Sequence, residues 1–150
     1  MEKKIYFAYG SNLNHGQMAY RCPDAEFVGT GFIENHTLTF KGDHLGVADI
    51  IPCKGVSVPI GVWKISAADE RRLDIYEVYP KLYGKRAVCA VCGGKSIDGM
   101  VYAMTAQKPV KLPSETYFNV ILEGYSDCGI DCEALFNFMF NVQSLLDSLS

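Results

Sequence analysis

The apolar positions change period along the chain, and each change marks an element. Lys4 to Ala8 alternates into an aromatic-rich strand that Tyr9-Gly10-Ser11-Asn12 breaks, and Leu13 to Arg21 then predicts a short helix stopped by Cys22-Pro23. Phe27 to Phe40, Val47 to Ile51 and Pro59 to Ile65 are rich in Val, Ile, Phe and Thr. They predict several sheet strands separated by Gly42-Asp43 and Lys54-Gly55. Ser66 with Asp69 three residues on has the pattern of a capped helix start, and that helix runs through Leu73 toward Glu77 before Pro80 closes the segment. Lys85 to Cys92 and Ile97 to Thr105 flank Gly93-Gly94 as the arms of a hairpin. Ser114, after Pro113, predicts a further N-cap, with its helix ending near Gly124. The last helix, about 132 to 149, carries the clearest stripe. Leu135, Phe138, Met139, Val142, Leu145, Leu146 and Leu149 recur at helical spacing, which predicts core packing rather than a partner surface.

No internal repeat, low-complexity tract or linker interrupts this order, so residues 1–150 are expected to form one domain. The chain is 49% hydrophobic and 21% charged, which sets aside disordered, collagen-like and coiled-coil classes. A chain of 150 residues buries roughly two thirds of its unfolded surface and needs no metal or disulfide to fold. Fourteen Lys plus Arg against seventeen Asp plus Glu give a net charge of −3, and no basic run is longer than a pair such as Lys3-Lys4 or Arg71-Arg72. Nucleic acid is therefore not expected as a partner. No run of 18 apolar residues exists, and Met1-Glu2-Lys3-Lys4 leads into a strand rather than a signal-peptide core. The expectation is a cytoplasmic protein with no membrane association. In that compartment Cys22, Cys53, Cys89, Cys92, Cys128 and Cys132 should be free thiols, and the sequon Asn35-His36-Thr37 is read as chance.

Two features carry candidate chemistry. Leu73 and Glu77 are four apart on the helix opened by Ser66, with Tyr76 beside them, so Glu77 lies on the face that must pack inward. Desolvation and the negative end of the helix macrodipole both disfavour an ionised carboxylate there, and a carboxyl raised toward neutrality suits general acid/base work. The alternative is a solvated Glu on a fraying helix end. Tyr9-Gly10-Ser11-Asn12 stands where a strand turns into a helix, where glycine permits close backbone approach and free N–H groups favour an anion. It lacks the lysine and spacing of a phosphate loop, which points to a small carboxylate or amide oxygen, the alternative being an ordinary turn.

Tyr6-Phe7-Ala8-Tyr9-Gly10-Ser11-Asn12-Leu13, Gly61-Val62-Trp63 and Leu73-Asp74-Ile75-Tyr76-Glu77-Val78-Tyr79 with Tyr83 resemble, in order and spacing, the γ-glutamylcyclotransferase-like (AIG2-like) family. Val101-Tyr102-Ala103-Met104, Pro113-Ser114-Glu115-Thr116-Tyr117 and the stretch Gly124 to Asp131 resemble the family's later blocks. The resemblance implies a mixed α+β fold, a small β-barrel flanked by helices. It implies a cyclotransfer in which the α-amine of a γ-glutamyl compound attacks its own γ-carbonyl, releasing 5-oxoproline and an amine or amino acid. By the same resemblance Glu77 matches the catalytic glutamate. Tyr9, Gly10, Ser11, Asn12 and Leu13 match the substrate loop, Tyr83, Tyr102 and Tyr117 match tyrosines around the site, and neither metal nor cofactor is required. One departure is Val78, where many members have Gly: a β-branched residue is expected to exclude positive φ and alter the backbone beside Glu77. Tyr79-Pro80 and the Tyr83 spacing look more like the γ-glutamylamine-acting branch.

Other constellations are weaker. Cys89 and Cys92 with Cys128 and Cys132 permit a four-thiolate zinc site by count, but residues three apart on a strand face opposite ways, which favours inert thiols. His15, His36 and His44 lie in segments without a matched nucleophile and are expected at the surface or in loops. The sequence leaves open a non-catalytic member of the fold that binds a small ligand or a protein, and it does not set the oligomeric state.

Overall fold

The computed structural model describes residues 2–150, so Met1, which opens the N-terminal reading above, lies outside the described residues. Five strands close into a barrel: β1 (Lys4–Ala8), β2 (Glu26–Lys41), β3 (Val47–Ile65), β4 (Tyr83–Cys92) and β5 (Lys95–Met104). Their order around it is β1-β3-β2-β4-β5, and a parallel bridge between Tyr6 and Met100 joins the last strand to the first. Four helices flank it: α1 (His15–Arg21), α2 (Ala67–Tyr76), α3 (Glu115–Cys128) and α4 (Cys132–Leu149). The mixed α+β barrel is the architecture expected. None of these helices is long and apolar enough to cross a membrane.

The strands predicted at Val47 to Ile51 and Pro59 to Ile65 are one strand. Lys54-Gly55 does not break it, because the two long strands β2 and β3 stay paired from Glu26 opposite Lys64 to Lys41 opposite Val47. The register shifts between Glu34 and His36, where Asn35 has φ 58° and Gly55 opposite has φ 82°. The Gly55 N–H donates to Asn35 Oδ1 at 3.0 Å. Asn and Gly are the residues that adopt left-handed backbone at least cost, so the pair bends the ribbon at a bulge instead of ending it. Gly93 and Gly94 at φ 58° and 78° make the tight turn expected between β4 and β5.

Helix boundaries also move. Ser11–Leu13 forms a separate 3-10 turn, and Asn14 caps α1 by accepting from the Gln17 N–H at 3.0 Å, so the helix expected from Leu13 begins at His15. The helix opened by Ser114 does not stop at Gly124 but continues to Cys128, where Gly129 at φ 71° supplies the left-handed cap. Gly124 serves packing: a Cβ there would lie 2.7 Å from the Asn14 N and 2.8 Å from the Leu13 carbonyl carbon. Its bare backbone lets α3 press directly on the turn that follows β1.

The last helix corrects the expectation of a stripe wholly in the core. Leu135, Phe138 and Val142 are buried, but Leu145 and Leu149 are exposed, as are Phe136 and Phe140 on neighbouring faces. The barrel core ends before the stripe does.

Gly124→Ala should destabilise the protein despite the gain of roughly 1 kcal/mol in helix propensity, since the methyl must displace backbone. A net loss of about 1–3 kcal/mol in urea unfolding is expected, and a stabilised variant would show that α3 does not bear on the turn.

Candidate active site

The barrel interior is apolar and aromatic, and where β1 gives way to the 3-10 turn it opens into one cavity of about 280 Å³. Tyr6 reaches it from β1, Tyr9 from just beyond that strand, Gly10, Ser11 and Asn12 from the turn, Val47 and Ala48 from the start of β3. Tyr76 and Glu77 come from the end of α2, Leu82 from just before β4 and Tyr83 from its start, Tyr102 from β5 and Tyr117 from α3.

Most of the phenols are pinned. Tyr83 donates to the Ala48 carbonyl at 2.5 Å, and the Ala48 N–H donates to the Tyr117 oxygen at 3.0 Å, so one backbone unit of β3 orients two tyrosines. Tyr9 donates to the Tyr102 carbonyl at 2.6 Å, and Tyr102 in turn donates to Asp74 Oδ1 at 2.6 Å. Asn12 Nδ2 donates to the Tyr6 oxygen at 2.9 Å, while Trp63 Nε1 donates to the Asn12 carbonyl at 3.1 Å. The Ser11 and Tyr76 hydroxyls lie 2.8 Å apart. Burial pushes the hydroxyls of Tyr6, Tyr9, Tyr83, Tyr102 and Tyr117 well above their ordinary range, so they are neutral hydrogen-bonding groups at physiological pH.

Glu77 differs from all of them. It caps the C-terminus of α2, its N–H bonded to the Leu73 carbonyl at 2.8 Å, and its carboxyl is mostly buried. Burial pushes that carboxyl up to about 7, with Arg21 pulling the other way, and no hydrogen bond from the described residues engages it. A carboxyl that is largely withdrawn from water, without a protein hydrogen-bonding partner and half-ionised near neutrality can both take and return a proton.

Of the residues expected at the site, Glu77, Tyr9, Gly10, Ser11, Asn12, Tyr83, Tyr102 and Tyr117 converge on the cavity. Leu13 does not. It is fully buried behind the turn against Gly61, a core residue that fixes the loop from the other side. Gly10 has φ −123°, so space rather than left-handed backbone accounts for it: a Cβ would stand 3.1 Å from Ala48 Cβ. Tyr6, Val47, Ala48, Tyr76 and Leu82 were not expected at the site. Tyr76, adjacent to the carboxylate, had a local signal; Val47 and Ala48 arrive only through the long strand pairing.

The expectation for Val78 is overturned. It adopts φ 51° although β-branched, half-exposed beyond the helix end, and its N–H bonds the Ile75 carbonyl at 3.2 Å. The helix terminus imposes the left-handed turn that glycine would accept freely, and the chain bears the strain. His15 is also misplaced by the sequence. It stacks against Phe27 and Trp63, with Nε2 3.5 Å from Cys128 Sγ. Burial and Asp127 push that thiol up to about 12, so it stays protonated and is no nucleophile. Cys89 and Cys92 lie three apart on the regular strand β4, paired opposite Asp98 and Lys95. No group of three or more His, Cys, Asp or Glu among the described residues is placed to hold a metal ion.

The family model for gamma-glutamyl cyclotransferase, AIG2-like, matches residues 6–119. The chain belongs to this family. It is 32% identical over 142 residues to the gamma-glutamylcyclotransferase of Bos taurus and 31% identical to that of Homo sapiens, covering 88% of this chain and 75% of each relative. A solved gamma-glutamyl cyclotransferase structure superposes with a TM-score of 0.84 at 28% identity, covering 92% of this chain and 87% of that one. Every cavity-lining residue of this AIG2-like chain falls inside the matched segment.

Two outcomes follow for stability. A carboxyl whose folded value lies above its unfolded one binds more protons in the native state, so its ionisation weakens the fold as pH rises from about 4.5 to about 7. Glu77→Gln should therefore gain stability over the parent across that window, reaching on the order of 2–3 kcal/mol above neutrality, read from denaturant midpoints at several pH values. Val78→Gly should add about 1 kcal/mol by releasing the left-handed strain, and a loss of stability would mean that the Val78 side chain earns its place by packing.

Proposed function

We propose that the chain catalyses γ-glutamyl cyclotransfer, with residues 1–150 acting as one domain on a small γ-glutamyl substrate. The observation that carries this reading is the lone ionisable carboxyl of Glu77 in a cavity otherwise lined by neutral phenols, hydroxyls and apolar groups. Membership of the AIG2-like family supports it.

In this mechanism the N–H groups of Gly10 to Asn12, left without partners within the first turn, and the Ser11 hydroxyl hold the glutamyl end of the substrate. The substrate's α-amine attacks its own γ-carbonyl carbon, forming the ring C–N bond. Glu77 takes the proton that the amine loses and returns it to the departing nitrogen as the original amide C–N bond breaks. The products are 5-oxoproline and a free amine, with protons balanced and no water consumed. Tyr117, whose oxygen accepts from the Ala48 N–H and whose own proton is left free, sits where a neutral donor can face the developing oxyanion. Ring closure within one held molecule supplies an effective molarity of roughly 10⁵ M or more, so positioning and one acid/base group account for the chemistry.

The lining holds no Lys or Arg among the described residues. A leaving group bearing its own carboxylate finds no cation there, which supports a γ-glutamylamine over a γ-glutamyl amino acid as the preferred substrate. The free cysteines suit a reducing, cytoplasmic setting.

The deciding experiment measures 5-oxoproline release from γ-glutamyl amines and γ-glutamyl amino acids in ¹⁸O-labelled water. Unlabelled 5-oxoproline is expected, and an N-acetylated substrate that still competes for binding should not turn over. Labelled glutamate would assign a hydrolase, and binding of 5-oxoproline without any turnover would assign a non-catalytic binder. Glu77→Gln should lower kcat by about 10² to 10⁴ while folding normally. The rate should rise with pH through about 7, because Glu77 must be ionised to accept the proton.

A further inference from the structure

Arg21 ends α1 and is not part of the cavity lining, yet it touches side chains from both segments that build the site. Its Nη1 donates to Asn12 Oδ1, within the turn after β1, and its Nη2 donates to Gln17 Oε1 at 2.8 Å. Its guanidinium carbon stands 3.5 Å from the centroid of the Tyr76 ring, the residue that precedes Glu77. The Tyr76 hydroxyl reaches back to Ser11 at 2.8 Å, so the ring is held by its face and by its tip. A planar guanidinium stacks on a ring while its edge donates hydrogen bonds, and the ammonium of a lysine cannot do both.

We propose that Arg21 is a positioning residue for the reaction, locking the Gly10–Asn12 turn and the helix end that bears Glu77 at one separation and presenting a positive charge to that carboxyl. The inference rests on the cyclotransfer reading. The groups that face Glu77 are Tyr6 from β1, Tyr9 just after it, Tyr83 from β4, Tyr117 from α3, Tyr76 on its own helix and Arg21 from α1. The phenols shifted by burial are neutral, which leaves Arg21 as the cation acting on Glu77 among the described residues. Burial raises the carboxyl and Arg21 restrains the rise, so the same side chain fixes where the base stands and how far it is ionised.

The test compares Arg21→Gln and Arg21→Lys with the parent protein, reading kcat across the neutral pH range, and separately the titration of Glu77 by carbon NMR of glutamate-labelled protein. Arg21→Gln should lose about 10- to 100-fold in kcat, the scale of a small misplacement of a catalytic group, and both the acid limb and the Glu77 midpoint should move to higher pH. Arg21→Lys should bring the midpoint back toward the parent while kcat stays reduced, because the charge returns without the stack and fork. A merely structural arginine would lower the melting temperature and leave the midpoint unmoved. A folded Arg21→Gln with kcat within about threefold of the parent and an unshifted midpoint overturns the proposal. If Arg21→Gln does not fold, parent-like kcat in Arg21→Lys overturns the geometric claim. If the parent itself releases no 5-oxoproline, cyclotransfer fails as the function, and the NMR titration, which needs no substrate, still decides whether Arg21 acts on Glu77.

Discussion

A carboxyl largely withdrawn from water and given no protein hydrogen-bonding partner opposes folding, and in this protein the arrangement around Glu77 is organised to tolerate it. The helix that delivers it is fixed at several points. Ser66 and Asp69 form a reciprocal capping box at the start of α2, and the fully buried Asp69 also pairs with Arg72 at 2.9 Å. Leu73 is sunk in the core, and Lys85 on β4 reaches Glu70 at 2.7 Å and Asp74 at 2.9 Å. Exposed ion pairs alone would contribute little. Here they tie a short helix to the barrel wall, so that its last turn cannot swing Glu77 out to solvent.

The same logic explains why three of the cavity's tyrosines, Tyr9, Tyr83 and Tyr117, bond to backbone. A tyrosine that donates to a strand carbonyl inherits the rigidity of the sheet. Tyr83 and Tyr117 are both referenced to Ala48, and Ala48 is carried by the long β2–β3 ribbon. Asp49 beside it is buried, accepts from the Met104 N–H at 2.9 Å and pairs with Lys41 at 2.9 Å, which locks that part of β3 to β5. Polar groups set in this way lose little entropy when a substrate arrives, the condition for electrostatic stabilisation that needs no reorganisation.

Features whose cause is local were legible in the sequence. The Ser66–Asp69 box, the Gly93-Gly94 turn, the Ser114 cap and the inward face carrying Leu73 and Glu77 each depend on residues within a turn or two of one another. Features whose cause is a distant neighbour were not. Gly55 reads as a strand end until Asn35, twenty residues away, is seen to complete a bulge with it. Gly124 reads as a helix stop until the Leu13–Asn14 backbone is found against it, and Val78 reads as incompatible with a left-handed turn that the helix end nevertheless imposes. Arg21 gave no signal because its partners, Asn12 in the turn after β1 and Tyr76 at the end of α2, are far apart in the chain and meet only in the folded protein.

The matched family segment ends at residue 119, and the cavity is complete by Tyr117, so the remainder of α3 and all of α4 hold the site without forming it. Their contribution is specific. Asn14, at the end of the 3-10 turn, donates to the Val120 carbonyl at 3.0 Å and to Glu123 at 3.2 Å, and Cys128 donates to the Leu13 carbonyl at 3.3 Å. With Gly124 pressed between these contacts, α3 braces the far side of the turn whose near side faces the cavity. Leu135, Phe138 and Val142 of α4 join the same core cluster as Ile121 and Tyr125 of α3. The site therefore depends on two clamps acting on one short turn, α3 from behind and Arg21 from the side, and a change in either is transmitted to the distance between that turn and Glu77.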